Sequence, residues 1–286
     1  MSAVQRAPHL NGRLADSMPD RAGLFARLCR RVTQTLVERW FGGVHAGLVV
    51  KSLYLQRSVA KFLRTGHKAI LDAGCGPGGQ LAALLAARYP TCSVEGWDLY
   101  CACAAVSPTS HGAQANLILR EADLASLTSV SAYDLVYSID VLEHIHDYAD
   151  VLDRLVMALR PGGLLFIHVP STKQRTWFKA TDAETANDFR EHRAGDDHVR
   201  EGFDKATLIS DLERRSVSVV EARWTFNGVT AWFKEVFSLG ERRRVRGIGL
   251  LLLPAVVLSV MGEMLMAPRR GNGVYVLGVK KGLGAQ

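Results

Sequence analysis

The chain has 286 residues, 48% hydrophobic and 22% charged, with a net charge of +7. Those proportions exclude a globally disordered chain and leave room for one decorated α/β domain or at most two small ones. The positive charge lies in short arginine clusters rather than along a broad stripe with aromatics, which argues against nucleic acid as a partner. Five cysteines (Cys29, Cys75, Cys92, Cys101, Cys103) form no C-x-x-C pair. They point to neither a disulfide framework nor a zinc site, as expected of a cytoplasmic protein.

Residues 1–20 are polar, contain Pro8 and Pro19 and lack the apolar core of a secretory signal, so they are expected to be flexible. Residues 21–66 are predicted to form a helical cap. Leu24, Leu28, Val32, Leu36 and Trp40 recur at helical spacing, Gly42-Gly43 interrupts the run, and Gly66 ends its second part.

Strands then alternate with helices. Predicted strands cover residues 68–72, 93–98, 116–121, 134–139 and 163–169, with helices over 79–88 and 149–159. Such alternation implies an α/β fold, a parallel sheet with crossovers on both faces. Ligands on such a sheet sit beyond the carboxyl ends of the strands. Residues 170–203 are polar. A helix is expected at 204–214, with Asp204 as its N-cap, and two further strands at 216–226 and 273–280.

An unusual insert separates those last two strands. Residues 228–239 are amphipathic and aromatic. Arg242-Arg243-Arg244-Val245-Arg246 follows, then residues 247–267, apolar except for Glu263, then Pro268-Arg269-Arg270. The apolar run has the roughly 20 residues that suffice to span a bilayer. If its flanking strands share one sheet, however, a single crossing would separate them. The insert is therefore expected to lie in a membrane surface through residues 242–270, to form a hairpin about Pro254, or to pack on protein, including a homodimer face. The expected division is 1–20 tail, 21–66 cap, 67–226 core, 227–272 insert and 273–286 last strand and tail.

The chemistry starts at Leu71-Asp72-Ala73-Gly74-Cys75-Gly76-Pro77-Gly78-Gly79. An apolar strand runs into a glycine turn that lets backbone press against a ligand, and the helix behind it offers unpaired N–H groups. The glycines alone also fit a dinucleotide fingerprint. Asp98 closes the second strand in Trp97-Asp98-Leu99, where a carboxylate can accept both hydroxyls of a ribose. The alternative for Asp98 is a helix cap, and for Asp123, in Ala122-Asp123-Leu124, a turn.

Leu-Asp-Ala-Gly-Cys-Gly-Pro-Gly resembles motif I of the class I S-adenosylmethionine-dependent methyltransferases. Ser138-Ile139-Asp140-Val141-Leu142-Glu143-His144 and Leu159-Arg160-Pro161-Gly162-Gly163 resemble segments of the small-molecule group related to the ubiquinone and menaquinone biosynthesis enzymes. Together these motifs span residues 68–170. The resemblance implies a seven-stranded Rossmann-like sheet and S-adenosyl-L-methionine as cofactor, held by Asp72, Gly74, Gly76, Gly78, Asp98, Leu99, Asp123, Leu124 and Asp140. Asp72 suits the cofactor's cationic end, and Asp123 with the Leu124 N–H suits adenine. Methyl transfer to a small acceptor, at a hydroxyl oxygen, is the reaction implied, and the apolar cap and insert suggest that the acceptor is amphiphilic.

Asp140, Glu143 and His144 fall at i, i+3 and i+4 and share a face if helical. Some quinone O-methyltransferases hold a metal with a similar cluster, but Asp140 is shorter than the glutamate found there, and no metal is expected. His198 and then His192 are candidate bases for an acceptor hydroxyl. Arg200 is a candidate to hold an acceptor anion, with His144 beside it, although Arg200 could also simply pin the loop. Cys101 and Cys103 read as small residues near the adenine pocket. The competing readings are a dinucleotide-dependent oxidoreductase or epimerase and a non-catalytic cofactor-binding scaffold at a membrane surface.

Overall fold

A computed structural model describes residues 46–100, 115–175, 199–242, 248–266 and 268–282. Its centre is one sheet of seven strands: β1 (Ala69–Ala73), β2 (Ser93–Asp98), β3 (Leu117–Glu121), β4 (Tyr133–Ile139), β5 (Leu159–Pro170), β6 (Val217–Thr225) and β7 (Gly273–Lys280). The spatial order is β3-β2-β1-β4-β5-β7-β6. β1 to β5 pair in parallel, whereas β7 is antiparallel to both β5 and β6. The order reverses at β1, which lies between β2 and β4, and so opens a crevice beyond the ends of β1 and β4.

Both faces of the sheet are covered, so its strands alternate between two cores rather than between core and water. Tyr137, Phe166, Tyr275 and Leu277 face one core with α1 (Ala46–Leu63) and α2 (Gln80–Arg88). α5 (Gly228–Arg242) and α6 (Ile248–Met266) join that layer through Ala231, Val256 and Val260. Val136, Leu165, Ile167, Val274 and Val276 face the other core with α3 (Tyr148–Ala158) and α4 (Lys205–Arg214).

Local signals account for most element ends. Gly66, at φ 85°, follows α1. The Asp204 carboxylate accepts from the N–H groups of Ala206 and Thr207 and caps α4. Strand β5 differs from expectation by starting at Leu159, which pairs with Tyr133. The Arg160-Pro161-Gly162-Gly163 stretch is a bulge inside the strand, with Gly162 at φ 78°, rather than a turn before it.

The insert is not a hairpin about Pro254, because that residue lies inside α6. Glu263 ties the helix to the domain beside the apolar contacts of Val256 and Val260. It is buried, it accepts from the Tyr54 hydroxyl of α1, and its second oxygen accepts from the Asn227 N–H at 3.0 Å. Arg57 and Arg223 donate to the Met264 carbonyl and satisfy the carbonyl end of the helix. Among the described residues no helix is long and apolar enough to cross a membrane. The expected cap helices before Ala46 lie outside the described residues.

Candidate functional site

The glycine loop leaves β1 and is stitched to the end of β2. The N–H groups of Gly74 and Cys75 both donate to the Trp97 carbonyl, at 2.8 and 3.0 Å. Gly74 has φ 88°, and a Cβ there would collide with the Val141 side chain after β4. Only glycine lets the loop pass between the ends of β1 and β4. Gly76 and Gly78 also have positive φ, and among the described residues nothing but their chain neighbours lies within 4 Å of where their Cβ would be.

Asp98 locks this loop from below. One oxygen accepts from the Gly76 N–H and the other from the Tyr100 N–H, each at 2.9 Å. A carboxylate has about four acceptor sites, so both oxygens keep a lone pair for a vicinal diol. Leu99 and Tyr100 project from the strand end, 54% and 46% exposed, and offer an apolar surface for a planar base. The Asp123 carboxylate accepts from the Ala125 N–H at 2.8 Å and caps the 3-10 turn Leu124–Ser126, in which Leu124 is buried. The turn role is therefore present whether or not Asp123 also meets adenine.

Asp72 lies near the end of β1, just before the loop. It is buried under the loop and accepts a 2.7 Å hydrogen bond from the Tyr137 hydroxyl. Burial outweighs that hydrogen bond and lifts its pKa to about 7.

Asp140 has partners that the sequence does not show. It sits at φ 54°, uncommon for a non-glycine residue. Its carboxylate is engaged by the Lys51 ammonium of α1 and by His168 Nδ1 of β5 at 2.7 Å. His168 Nε2 in turn faces the Thr225 hydroxyl of β6 at 3.0 Å. Burial raises the Asp140 pKa, yet Lys51 and His168 together hold it well below the usual carboxylate range. Burial lowers the His168 pKa more than Asp140 raises it. Lys234 of α5 is depressed to about 8 by burial, then by Lys51. Asp140 is thus the hub of a polar network joining α1, β4, β5 and β6.

The stretch after Asp140 is not α-helical, so the expected shared face fails. Leu142–His144 is one 3-10 turn. Glu143 is buried, and burial with the nearby Asp140 charge raises its pKa to about 8. Its Oε2 has no hydrogen-bond partner among the described residues. His144 lies beside it, half-buried. Among the described residues no cluster of three metal-ligating side chains is present.

Arg200 has protein partners that fit the loop-pinning alternative. Its guanidinium donates to the carbonyls of Ile145 at 2.7 Å and His146 at 2.9 Å, and stacks 4.3 Å from the Tyr148 ring. It pins the returning chain to the turn after β4. His192, His198, Cys101 and Cys103 lie outside the described residues. Lys51, His168, Thr225 and Lys234 carry no motif that singles them out. The available signal was His168, a lone titratable residue in the otherwise apolar run Leu164–Val169.

The strand order, the antiparallel β7, the glycine loop and the acid that closes β2 define a class I S-adenosylmethionine-dependent methyltransferase. A family described as a methyltransferase domain matches residues 51–215, more than half of the chain, and the chain belongs to that family. The trans-aconitate 2-methyltransferase of Methylobacterium radiotolerans is 38% identical over 100 residues, 35% of this chain and 37% of that protein. The enzyme of the same name from Deinococcus radiodurans is 36% identical over 131 residues, 45% of this chain and 48% of that protein. The chain thus spans less than half the length of these curated relatives. Among solved structures, a Haemonchus contortus phosphoethanolamine N-methyltransferase bound to S-adenosyl-L-methionine superposes with a TM-score of 0.56. The identity is 17%, covering 92% of this chain and 59% of that one. The [4+2]-cyclase SpnF superposes at 0.55 with 15% identity, covering 91% and 96%. The same architecture therefore occurs in proteins with different reactions, and the acceptor has to be argued from the site.

Proposed function

We propose that this protein transfers a methyl group from S-adenosyl-L-methionine to an oxygen of a small amphiphilic acceptor that enters at the β4–β5 side of the crevice. The observation that carries the reading is the joint between Gly76 and Asp98, which sets a bare glycine backbone and a diol-accepting carboxylate at the switch in strand order. When bound, the cofactor supplies a methyl carbon on a sulfonium, whose thioether leaves without an acid. The protein's task is then to hold the acceptor in line, a proximity effect worth several kcal/mol.

Lys51, Asp140 and His168 form a polar floor beside that line, and Glu143, neutral below about pH 8, offers a hydrogen bond there. Lys51 and Lys234 favour an acceptor that carries or develops negative charge at the reacting oxygen. A hydroxyl acceptor needs a base, for which His198 and His192 are the candidates. A carboxylate acceptor needs none. The curated relatives, whose name specifies trans-aconitate, favour the second form, although the identity covers only a third to a half of this chain. A dinucleotide cofactor is disfavoured by the family match, since the acid of Asp98 would suit the ribose of either cofactor.

Thermal-shift titration tests the cofactor. S-adenosylhomocysteine should raise Tm in a saturable way while NAD(P) leaves it unchanged. Asp98→Ala should weaken S-adenosylhomocysteine by about 100-fold, since two charge-assisted hydrogen bonds are removed. Stabilisation by NAD(P) instead would overturn the reading. Mass spectrometry of products separates a free hydroxyl from a carboxylate ester.

A further inference from the structure

We propose that the outer face of α6 is a docking surface for an anionic phospholipid bilayer. A helix seated on a protein core normally turns charged residues outward, and one that is apolar all round is normally covered all round. α6 breaks this pattern. Val256, Val260 and Glu263 are buried against the domain, at helical spacing. The opposite side carries Pro254, Leu258, Met261 and Leu265, spaced 4, 3 and 4 residues apart and all exposed. Leu258 is 67% exposed, Leu265 85% and Met266 75%. Across these turns of helix the sole charged side chain is Glu263, and it points inward.

The charges sit at the ends instead. Arg269 and Arg270 follow the helix and are exposed, and Arg57 is exposed beside Met264. Arg242-Arg243-Arg244-Val245-Arg246 precedes it in sequence. An apolar row between cationic ends matches acyl chains under anionic headgroups. A second copy of the chain fits this face worse. Paired in parallel, two α6 helices would bring Arg269 and Arg270 of one copy against those of the other.

The surface also lies at a useful place. α6 is held at Glu263 by the Asn227 N–H, just after β6, and β7 begins at Gly273 opposite Thr225 and Pro170. The carboxyl end of α6 therefore sits at the same sheet edge as His168 and Thr225. Val229 and Trp232 of α5 add exposed apolar area beside Asn227. A protein resting on this face would bring the acceptor crevice close to the interface.

Co-sedimentation of the full chain tests the proposal. Vesicles of phosphatidylcholine alone should leave the protein in solution, whereas vesicles containing phosphatidylglycerol should pellet it, less so as salt rises. Leu258→Glu with Leu265→Glu should lower the partition coefficient by roughly 10-fold or more. Arg269→Glu with Arg270→Glu should lower it by at least roughly 25-fold, about five-fold per arginine, and flatten the salt dependence. Both pairs are exposed, so an unchanged Tm shows that loss of binding is not loss of fold. The proposal is overturned if the protein ignores anionic vesicles, or if the leucine variant binds them as the parent does. A dimer dissolved by the leucine variant, without vesicle binding, would overturn it in favour of self-association. The readout requires no turnover, so it stands or falls apart from the methyl-transfer reading.

Discussion

The two halves of the crevice are built from different materials. On the β1–β3 side, backbone does the holding. Glycines 74 to 79, carbonyl Trp97 and carboxylate Asp98 are joined by short hydrogen bonds. On the β4–β6 side, side chains do it. Lys51 reaches Asp140 across 89 residues of sequence, and His168 reaches Thr225 across 57. A backbone cradle suits a ligand whose shape never changes. A side-chain network can be rebuilt residue by residue for a new acceptor, and it is where a relative's substrate transfers least safely.

The largest expected effect probes the buried carboxylate next to the backbone half. Asp72 is lifted by burial to about 7 from an ordinary value of 3.8. The folded state therefore holds its proton more tightly than the unfolded chain does. The resulting stability is fully present below about pH 4 and is lost as pH rises through about 7, on the order of 4 kcal/mol at full ionisation. Asp72→Asn should thus melt higher than the parent at about pH 8, with the difference gone near pH 4. Equal melting curves across that window would show that the carboxylate reaches water or a cation.

Next in size is the joint that holds the insert. Glu263→Ala strands the buried Tyr54 hydroxyl and the Asn227 N–H, and should cost about 3 kcal/mol in urea denaturation. Glu263→Gln keeps one acceptor and should cost about half of that. If both variants are as stable as the parent, α6 is held by its apolar face alone and the polar joint is incidental.

The smallest effect separates the two halves by function. Lys51→Met removes the charge opposite Asp140. It should leave S-adenosylhomocysteine affinity unchanged and lower kcat by about 10-fold, the worth of roughly 1.4 kcal/mol of positioning. A variant that loses cofactor affinity as well would show the two halves to be one coupled unit.

Much of the backbone half is legible in the amino-acid sequence, because its signals are local. Asp72, Gly74, Gly76 and Asp98 lie within 27 residues, and strand ends with glycine turns have strong one-dimensional signatures. Their detailed roles are less legible. The same letter Asp is a buried acceptor for Tyr137 at 72, an acceptor for the loop backbone at 98, a turn cap at 123 and an ionic hub at 140. Burial and partners decide among those roles, and neither can be read from spacing. Arg200 shows the same failing in reverse, since its two carbonyl acceptors and the Tyr148 ring belong to the turn and helix after β4.

From its order of residues alone, this chain specifies the alternation that builds a parallel sheet, the loop that meets a nucleoside-like cofactor, and an apolar insert with arginine ends. Those follow from periodicity and backbone conformation, which neighbouring residues control. Only the folded chain decides that Lys51, Asp140, His168 and Thr225 meet, that Glu263 turns inward, and that Leu258 and Leu265 are left facing out. Contacts between distant segments depend on strand order and helix rotation, and one sequence read without its partners carries no record of either.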